Sequence, residues 1–193
     1  MNADKTKPFL ICVYLRSSAA HNSFRGLFVD RKHHYHMVNR WTGNLGTGTS
    51  AYTAYSRAHE LSGTGKAAAI PGSSDPAFRG DRTRYNPEEL LLGALSACHM
   101  LWVLHLCADA GITVTEYQDQ AWGEMAEHED GSGEFTRVVL APRMSIAEPE
   151  RIDEAVAIHH RASAVCALAR SMKFPVEHQP VVNGQKFRGP QNG

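Results

Sequence analysis

The chain contains four cysteines, Cys12, Cys98, Cys107 and Cys166. A thiolate is a nucleophile, and once oxidised it can condense with a second thiol. The spacings of 86, 9 and 59 residues include no C-x-x-C and resemble neither a zinc ribbon nor a dense secreted disulfide framework. A few widely spaced cysteines point to a reducing, cytoplasmic compartment with one or two of them reactive. On one helix, Cys98 and Cys107 would stand roughly 13 Å apart along the axis, whereas a disulfide needs Cα atoms within about 7 Å. Only a tertiary contact between separate helices could bring Cys98 to Cys166. Taken alone, a cysteine on an apolar helix is more often a small buried hydrophobe than a nucleophile.

Eleven histidines raise metal binding as the rival chemistry. His34 and His36 share one strand face, His159 and His160 lie near Cys166, and His99 adjoins Cys98. None has the ligand spacing diagnostic of zinc, so no metal is expected. His105, seven residues after Cys98, lies on the same helix face. It is a candidate to line a site there, although a hydrogen-bonded core histidine is the commoner outcome.

Composition narrows the remaining classes. Twenty Lys+Arg balance twenty Asp+Glu, which argues against a nucleic-acid surface. With 42% hydrophobic and 21% charged residues the chain reads as globular rather than disordered. No stretch is read as reaching the roughly 18 apolar residues of a membrane span. Lys5 and Lys7 before Phe9–Leu15 imitate a signal peptide, but the apolar run is short and Arg16 interrupts it. Residues 1–31 are therefore read as a poorly ordered extension, 32–183 as the folded domain and 184–193 as a flexible tail.

The elements that would position the thiols follow from pattern. His34–Trp41 reads as a first strand, Thr49–Ala58 as a second, Ala67–Ile70 as a third, and Pro71–Arg84 as a long polar loop carrying Arg79, Arg82 and Arg84. Asn86 is a helix N-cap, with Pro87 at the first position and Glu89 completing a capping box. The helix is apolar nearly all round through Cys98 and stops at Gly111. Pro87–Ala110 would span roughly 36 Å and need cover on several sides, which a homodimer would supply. Thr113–Glu127 and Phe135–Ile146 read as a hairpin around Asp130-Gly131. Pro149 opens a second helix, and that helix or a shorter one after a break carries Cys166. Strands, a buried helix, a hairpin and further helices make an α+β domain.

The segment Asn86-Pro87-Glu88-Glu89-Leu90-Leu91 followed by Ala94-Leu95-Ser96-Ala97-Cys98 resembles the osmotically inducible protein C and organic hydroperoxide resistance (OsmC/Ohr) family. Cys98 stands ten residues after Glu88, as that pattern requires. The resemblance continues through Trp41-Thr42-Gly43, Gly123-Glu124-Met125, Asp130-Gly131, Phe135–Val138, Leu140-Ala141-Pro142 and Ala162-x-x-x-Cys166. It covers residues 33–182.

The resemblance implies an antiparallel sheet with a long central helix in an intertwined homodimer. It also implies a thiol peroxidase acting on organic hydroperoxides in oxidative-stress defence. Cys98 would be the peroxidatic cysteine and Cys166 the resolving one. The reductant would be a dithiol, typically dihydrolipoyl groups on lipoylated proteins, and no cofactor (metal, haem or nucleotide) would be needed. Cys98 sits too deep in its helix for the macrodipole to lower its pKa much, and burial would raise it, so a cation must help. The family uses an arginine paired with the glutamate that maps onto Glu88; Arg79, in Phe78-Arg79-Gly80-Asp81, is the candidate. Glu88 lies roughly 15 Å from Cys98 along a straight helix, so a long arginine bridges the gap or the partner subunit contributes. Phe78, Leu101, Trp102 and His105 are candidates to line the path of a greasy substrate. A non-catalytic dimer binding a small apolar ligand, or a peroxide sensor, are the alternatives.

Overall fold

A computed structural model describes residues 32–186. The N-terminal extension expected over 1–31, with Cys12, lies outside the described residues, as do residues 187–193 of the expected tail. Of the described residues, His36–Lys186 group into one unit.

The long helix α1, Pro87–Ala110, forms where its local signals place it. Asn86 Oδ1 accepts from the Glu89 N–H at 2.7 Å, and Glu89 Oε2 accepts from the Asn86 N–H at 3.1 Å. Two of the orphan donors at the helix start are thereby satisfied. At the other end Gly111 takes φ 68°, a left-handed conformation that only glycine adopts cheaply. Arg151 completes the C-terminus by donating to the Ala110 and Gly111 carbonyls at 2.9 and 3.0 Å.

Expected burial of α1 on several sides is corrected within the single chain. Only the stripe Leu95, His99, Val103 and Cys107 is buried, while Leu101 on the outer face is 62% exposed. A second correction concerns length. α1 is long and apolar enough, by length and composition, to cross a membrane. Its buried stripe nonetheless packs against other elements as a core helix does.

Around α1 the strands form three sheets. β1 (Val38–Trp41), β2 (His59–Ser62) and β3 (Ile70–Gly72) make an antiparallel sheet in that order. The expected second strand over Thr49–Ala58 is instead a set of turns. Arg57 explains the difference: its Nη1 donates to the carbonyls of Tyr52 and Tyr55, both at 2.9 Å, and its guanidinium lies over both tyrosine rings. Those carbonyls are lost to a strand ladder, which overrides the β propensity of Thr and Tyr. The first strand begins at Val38 rather than His34, and the third at Ile70 rather than Ala67.

The hairpin is split. β4 (Val114–Asp119) and β5 (Trp122–Glu127) lie in different sheets, as do β6 (Gly133–Leu140) and β7 (Pro142–Ile146). Pro142 has no N–H for a ladder, and the Ala141 N–H goes to Asp119 Oδ1 at 2.7 Å, so pairing lapses between Trp122↔Val139 and Asp119↔Pro142. After the 3₁₀ turn Pro149–Arg151 come α2 (Ile152–Val165) and α3 (Ala167–Ser171). The chain then returns as β8 (Val176–His178), β9 (Val181–Val182) and β10 (Gln185–Lys186), so part of the expected tail is a strand. The sheets run β10-β9-β7-β4 and β5-β6-β8. They are mixed rather than wholly antiparallel, because β8 and β9 arrive through a helical crossover and pair parallel to β6 and β7.

The core has two parts. Val103 and Cys107 pack with Met144, Ile146, Ala155, Val156, Ile158 and Ala162. Leu95 packs with Val138 and Leu140, and Ala169 and Phe174 close over them.

The cap at Asn86 is a local device with a measurable effect. Asn86→Ala should lower unfolding free energy by about 1 kcal/mol, and Asn86→Ser should recover most of it, because serine restores the acceptor for the Glu89 N–H. Urea unfolding of the two variants checks this.

Candidate active site

Cys98 and Cys166, 68 residues apart in sequence, meet in space. Their Sγ atoms lie 2.7 Å apart, with the Cys166 thiol donating to Cys98. Neither is in a disulfide. Cys98 is half-buried on α1, three residues after Leu95 and one before His99, beside the buried stripe rather than on it. Cys166 is buried at the break between α2 and α3. Its own N–H closes α2 by donating to the Ala162 carbonyl at 2.9 Å, and its ψ of 110° turns the chain into α3. The break presents a cysteine to α1 where a continuing helix would carry it past. Ala162 and Ala169, small residues on either side, belong to the packing around α1.

Burial, and then the contact with Cys98, push the Cys166 thiol up to about 11. Cys166 therefore keeps its proton at neutral pH and serves as the donor of the pair. Cys107 is a different kind of cysteine: it sits in the larger core cluster, and burial pushes its thiol up to about 11 as well. It behaves as a small hydrophobe.

The other residues singled out in the sequence lie as follows. Arg79 is exposed, at φ 64° on the end of the 3₁₀ turn Pro76–Phe78, and makes no ion pair among the described residues. Gly80 after it is required sterically, since a Cβ there would collide with the Ser74 carbonyl. Glu88, in the first turn of α1, has a buried Oε2 with no hydrogen-bond partner. The single chain does not join Arg79 to Glu88. Phe78 is 38% exposed and Leu101, one turn after Cys98, is exposed too. Trp102 packs against the larger core cluster and meets His105 edge to face at 5.8 Å. His105 Nε2 lies 3.6 Å from Asp109 Oδ2.

One feature had no sequence counterpart, and a second joins histidines that the sequence showed only apart. Arg57 holds its Nη2 buried and without a partner, while Nη1 is anchored to two carbonyls. Reading Thr49–Ala58 as a strand hid it; an isolated arginine after two tyrosines was the available signal. The second is a group of imidazoles. His99 Nε2 and His159 Nδ1 share a hydrogen bond at 3.1 Å, and both rings are buried. His178 lies 5.6 Å from the His99 ring, and Tyr117 stacks on His159 at 6.3 Å. The signal for His99 was its place on the four-residue stripe of α1. Among the described residues, no group of three or more His, Cys, Asp or Glu side chains is placed to hold a metal ion.

A family model described as OsmC-like protein matches residues 80–180. An OsmC-like protein of unknown function from Vibrio cholerae is similar in structure, with a TM-score of 0.67 and 26% identity, covering 78% of this chain and all of that one (100%). An organic hydroperoxide resistance protein from Elizabethkingia anophelis gives a TM-score of 0.57 at 18% identity, over 80% of this chain and 100% of that one. An organic hydroperoxide resistance protein OsmC from Legionella pneumophila gives 0.53 at 16%, over 78% and 98%. The last two likenesses show a common fold. No curated protein matches the chain.

The buried imidazoles make stability depend on pH. Burial lowers His99 to about 4 and His159 to about 3, from a usual value near 6.5. Between about pH 6.5 and 4 the unfolded chain binds protons that the folded chain refuses, so stability falls as pH falls through that window. Each imidazole contributes a slope of up to about 1.4 kcal/mol per pH unit. Urea midpoints measured from pH 7.5 to 4.5 should decline, and His99→Gln/His159→Gln should flatten the decline; a flat wild-type profile would contradict the assignment.

Proposed function

Because the chain belongs to the OsmC-like protein family, we propose that it is a cysteine-based peroxidase that reduces organic hydroperoxides to alcohols. The observation that carries this reading is the contact between Cys98 and Cys166 at 2.7 Å. The Cys98 thiolate attacks the terminal oxygen of the hydroperoxide. The O–O bond breaks, Cys98 becomes a sulfenic acid, and the departing alkoxide takes a proton to leave as the alcohol. Cys166 then attacks the Cys98 sulfur. The S–S bond forms, and the hydroxide leaves as water with the proton that Cys166 has retained until then. A dithiol, of the lipoyl class, reduces the disulfide and returns both thiols in a reducing, cytoplasmic compartment.

The burial of the two thiols sets their order of use. The half-buried Cys98 is the one a substrate can approach, and the buried Cys166 is protected until the sulfenic acid forms beside it. Leu101 and Phe78, both exposed and apolar, suit the entry of a greasy tail. Trp102 supports that wall from the core side, with His105 against it.

A cation near Cys98 is part of this reading, and so is a second copy of the chain. Arg57 Nη2 and Glu88 Oε2 are both buried, charged and unpaired within one chain. Leaving either so costs several kcal/mol, and a guanidinium–carboxylate pair across a homodimer interface would relieve both. Arg57 thus joins Arg79 as a candidate to activate Cys98, and it is the one already held in a fixed orientation.

Two measurements test the proposal. One equivalent of cumene hydroperoxide should remove two thiols rapidly, and dihydrolipoamide should restore them. Cys166→Ser should stop at the Cys98 sulfenic acid, and Cys98→Ser should lose no thiol. An unchanged wild-type thiol count would mark a non-catalytic protein, and oxidation without turnover would mark a sensor. Separately, Arg57→Gln should lower kcat/KM at least tenfold, a loss of about 1.4 kcal/mol, whereas Arg79→Gln should stay within about threefold. The reverse ranking would return the role to Arg79.

A further inference from the structure

A cleft distinct from the thiol pair opens where the two mixed sheets part. Three segments cross from one sheet to the other at the same level. They are Gln120–Ala121 between β4 and β5, Ala141 between β6 and β7, and Gln179–Pro180 between β8 and β9. Backbone pairing lapses at this seam, and the space left is a cleft of about 370 Å³. Its walls are Gln120, Ala141, Arg143, His160, His178 and the Gln179–Val181 turn.

The chemistry of these walls has one sign. Arg143, exposed on β7, has no carboxylate partner among the described residues, and no Asp or Glu lines the cleft. Glu116 lies in a neighbouring cleft that shares Arg143 and is occupied with Ser145 Oγ at 3.4 Å. His160 Nδ1 and His178 Nε2 stand 3.1 Å apart and share one hydrogen bond. In either tautomer of that neutral pair, one ring N–H is directed away from the shared bond. Two imidazoles without a third ligand, beside a guanidinium, are poorly suited to a metal cation. A guanidinium fork with imidazole N–H and amide donors suits a planar or tetrahedral oxyanion. The volume is that of a small-molecule site rather than of a few trapped waters.

We propose that this seam cleft binds a small organic or inorganic anion through a carboxylate or phosphate group. Arg143 supplies the bidentate contact, the hydrogen-bonded His160–His178 pair adds one imidazole N–H, and the amides of Gln120 and Gln179 form the rim. The site stands apart from the peroxidase reading, since neither Cys98 nor Cys166 lines it. It does touch the buried imidazoles, because the ring of His178 also packs at 5.6 Å from that of His99.

Calorimetric titration of the full chain with inorganic phosphate, and separately with succinate, tests the proposal, with imidazole NMR signals followed alongside. At least one probe should bind saturably at one site per chain with a Kd below about 1 mM, shifting His160 and His178 before the other histidines. Arg143→Gln should weaken that binding about tenfold or more, Arg143→Lys should fall between, and Cys98→Ser should leave it unchanged. Circular dichroism of each variant confirms that the fold is retained. Preference for phosphate or for succinate identifies the source of the anionic group. Absence of saturable binding to either probe up to about 10 mM, or equal affinity in wild type and a folded Arg143→Gln, overturns the proposal.

Discussion

Cys166 reaches Cys98 because α2 ends where it does. The Cys166 N–H makes the last helical bond to Ala162, its ψ of 110° departs from helix, and α3 starts again at once in a new direction. The thiol at that corner is buried against α1, with the Cys98 sulfur 2.7 Å away. Leu95, Val103 and the small residues Ala155, Ala162 and Ala169 let the helices approach closely enough for this. A larger side chain at the fully buried Ala162 would overpack the core that holds the helices together. Core packing and the meeting of the two thiols are here the same constraint.

That packing brings polar groups into the interior, and their pairing differs. His99 and His159 answer each other across the α1–α2 contact, and both stay neutral because water is excluded. His159 Nε2, Arg57 Nη2 and Glu88 Oε2 are nonetheless buried atoms without a hydrogen-bond partner in the single chain. The exposed outer face of α1, with Leu101, is a further deficit of one chain by itself. A charged group without a partner and an apolar helix face without cover are both unfavourable in water. A second copy of the chain is the occupant that would answer both deficits.

The seam between the mixed sheets has a separate origin. Pro142 cannot donate to a ladder, and Asp119 takes the Ala141 N–H that would have continued it. The hairpin therefore bends into two sheets instead of running as one. The bend leaves room beside Arg143, and α2 and β8 bring His160 and His178 to its wall. A local exception to strand chemistry thus shapes a surface cleft whose lining includes His160 and His178 but neither thiol.

Several elements were legible from the amino-acid order alone. Asn86, Pro87, Glu89 and Gly111 determined both ends of α1, because each acts on backbone groups within about four residues of itself. The same is true of the turn at Asp130-Gly131, where Asp130 Oδ1 accepts from the Ser132 N–H at 2.9 Å. The motif from Asn86 to Cys98 pointed to the family, and with it to the thiols. Tertiary structure decided the rest. Thr49–Ala58 has strand propensity, yet a guanidinium claims its carbonyls. His99 and His159 bond across 60 residues of sequence, and Cys98 and Cys166 across 68. Propensity and capping are read from neighbours along the chain, whereas these contacts depend on how distant helices pack, which no short window of sequence contains.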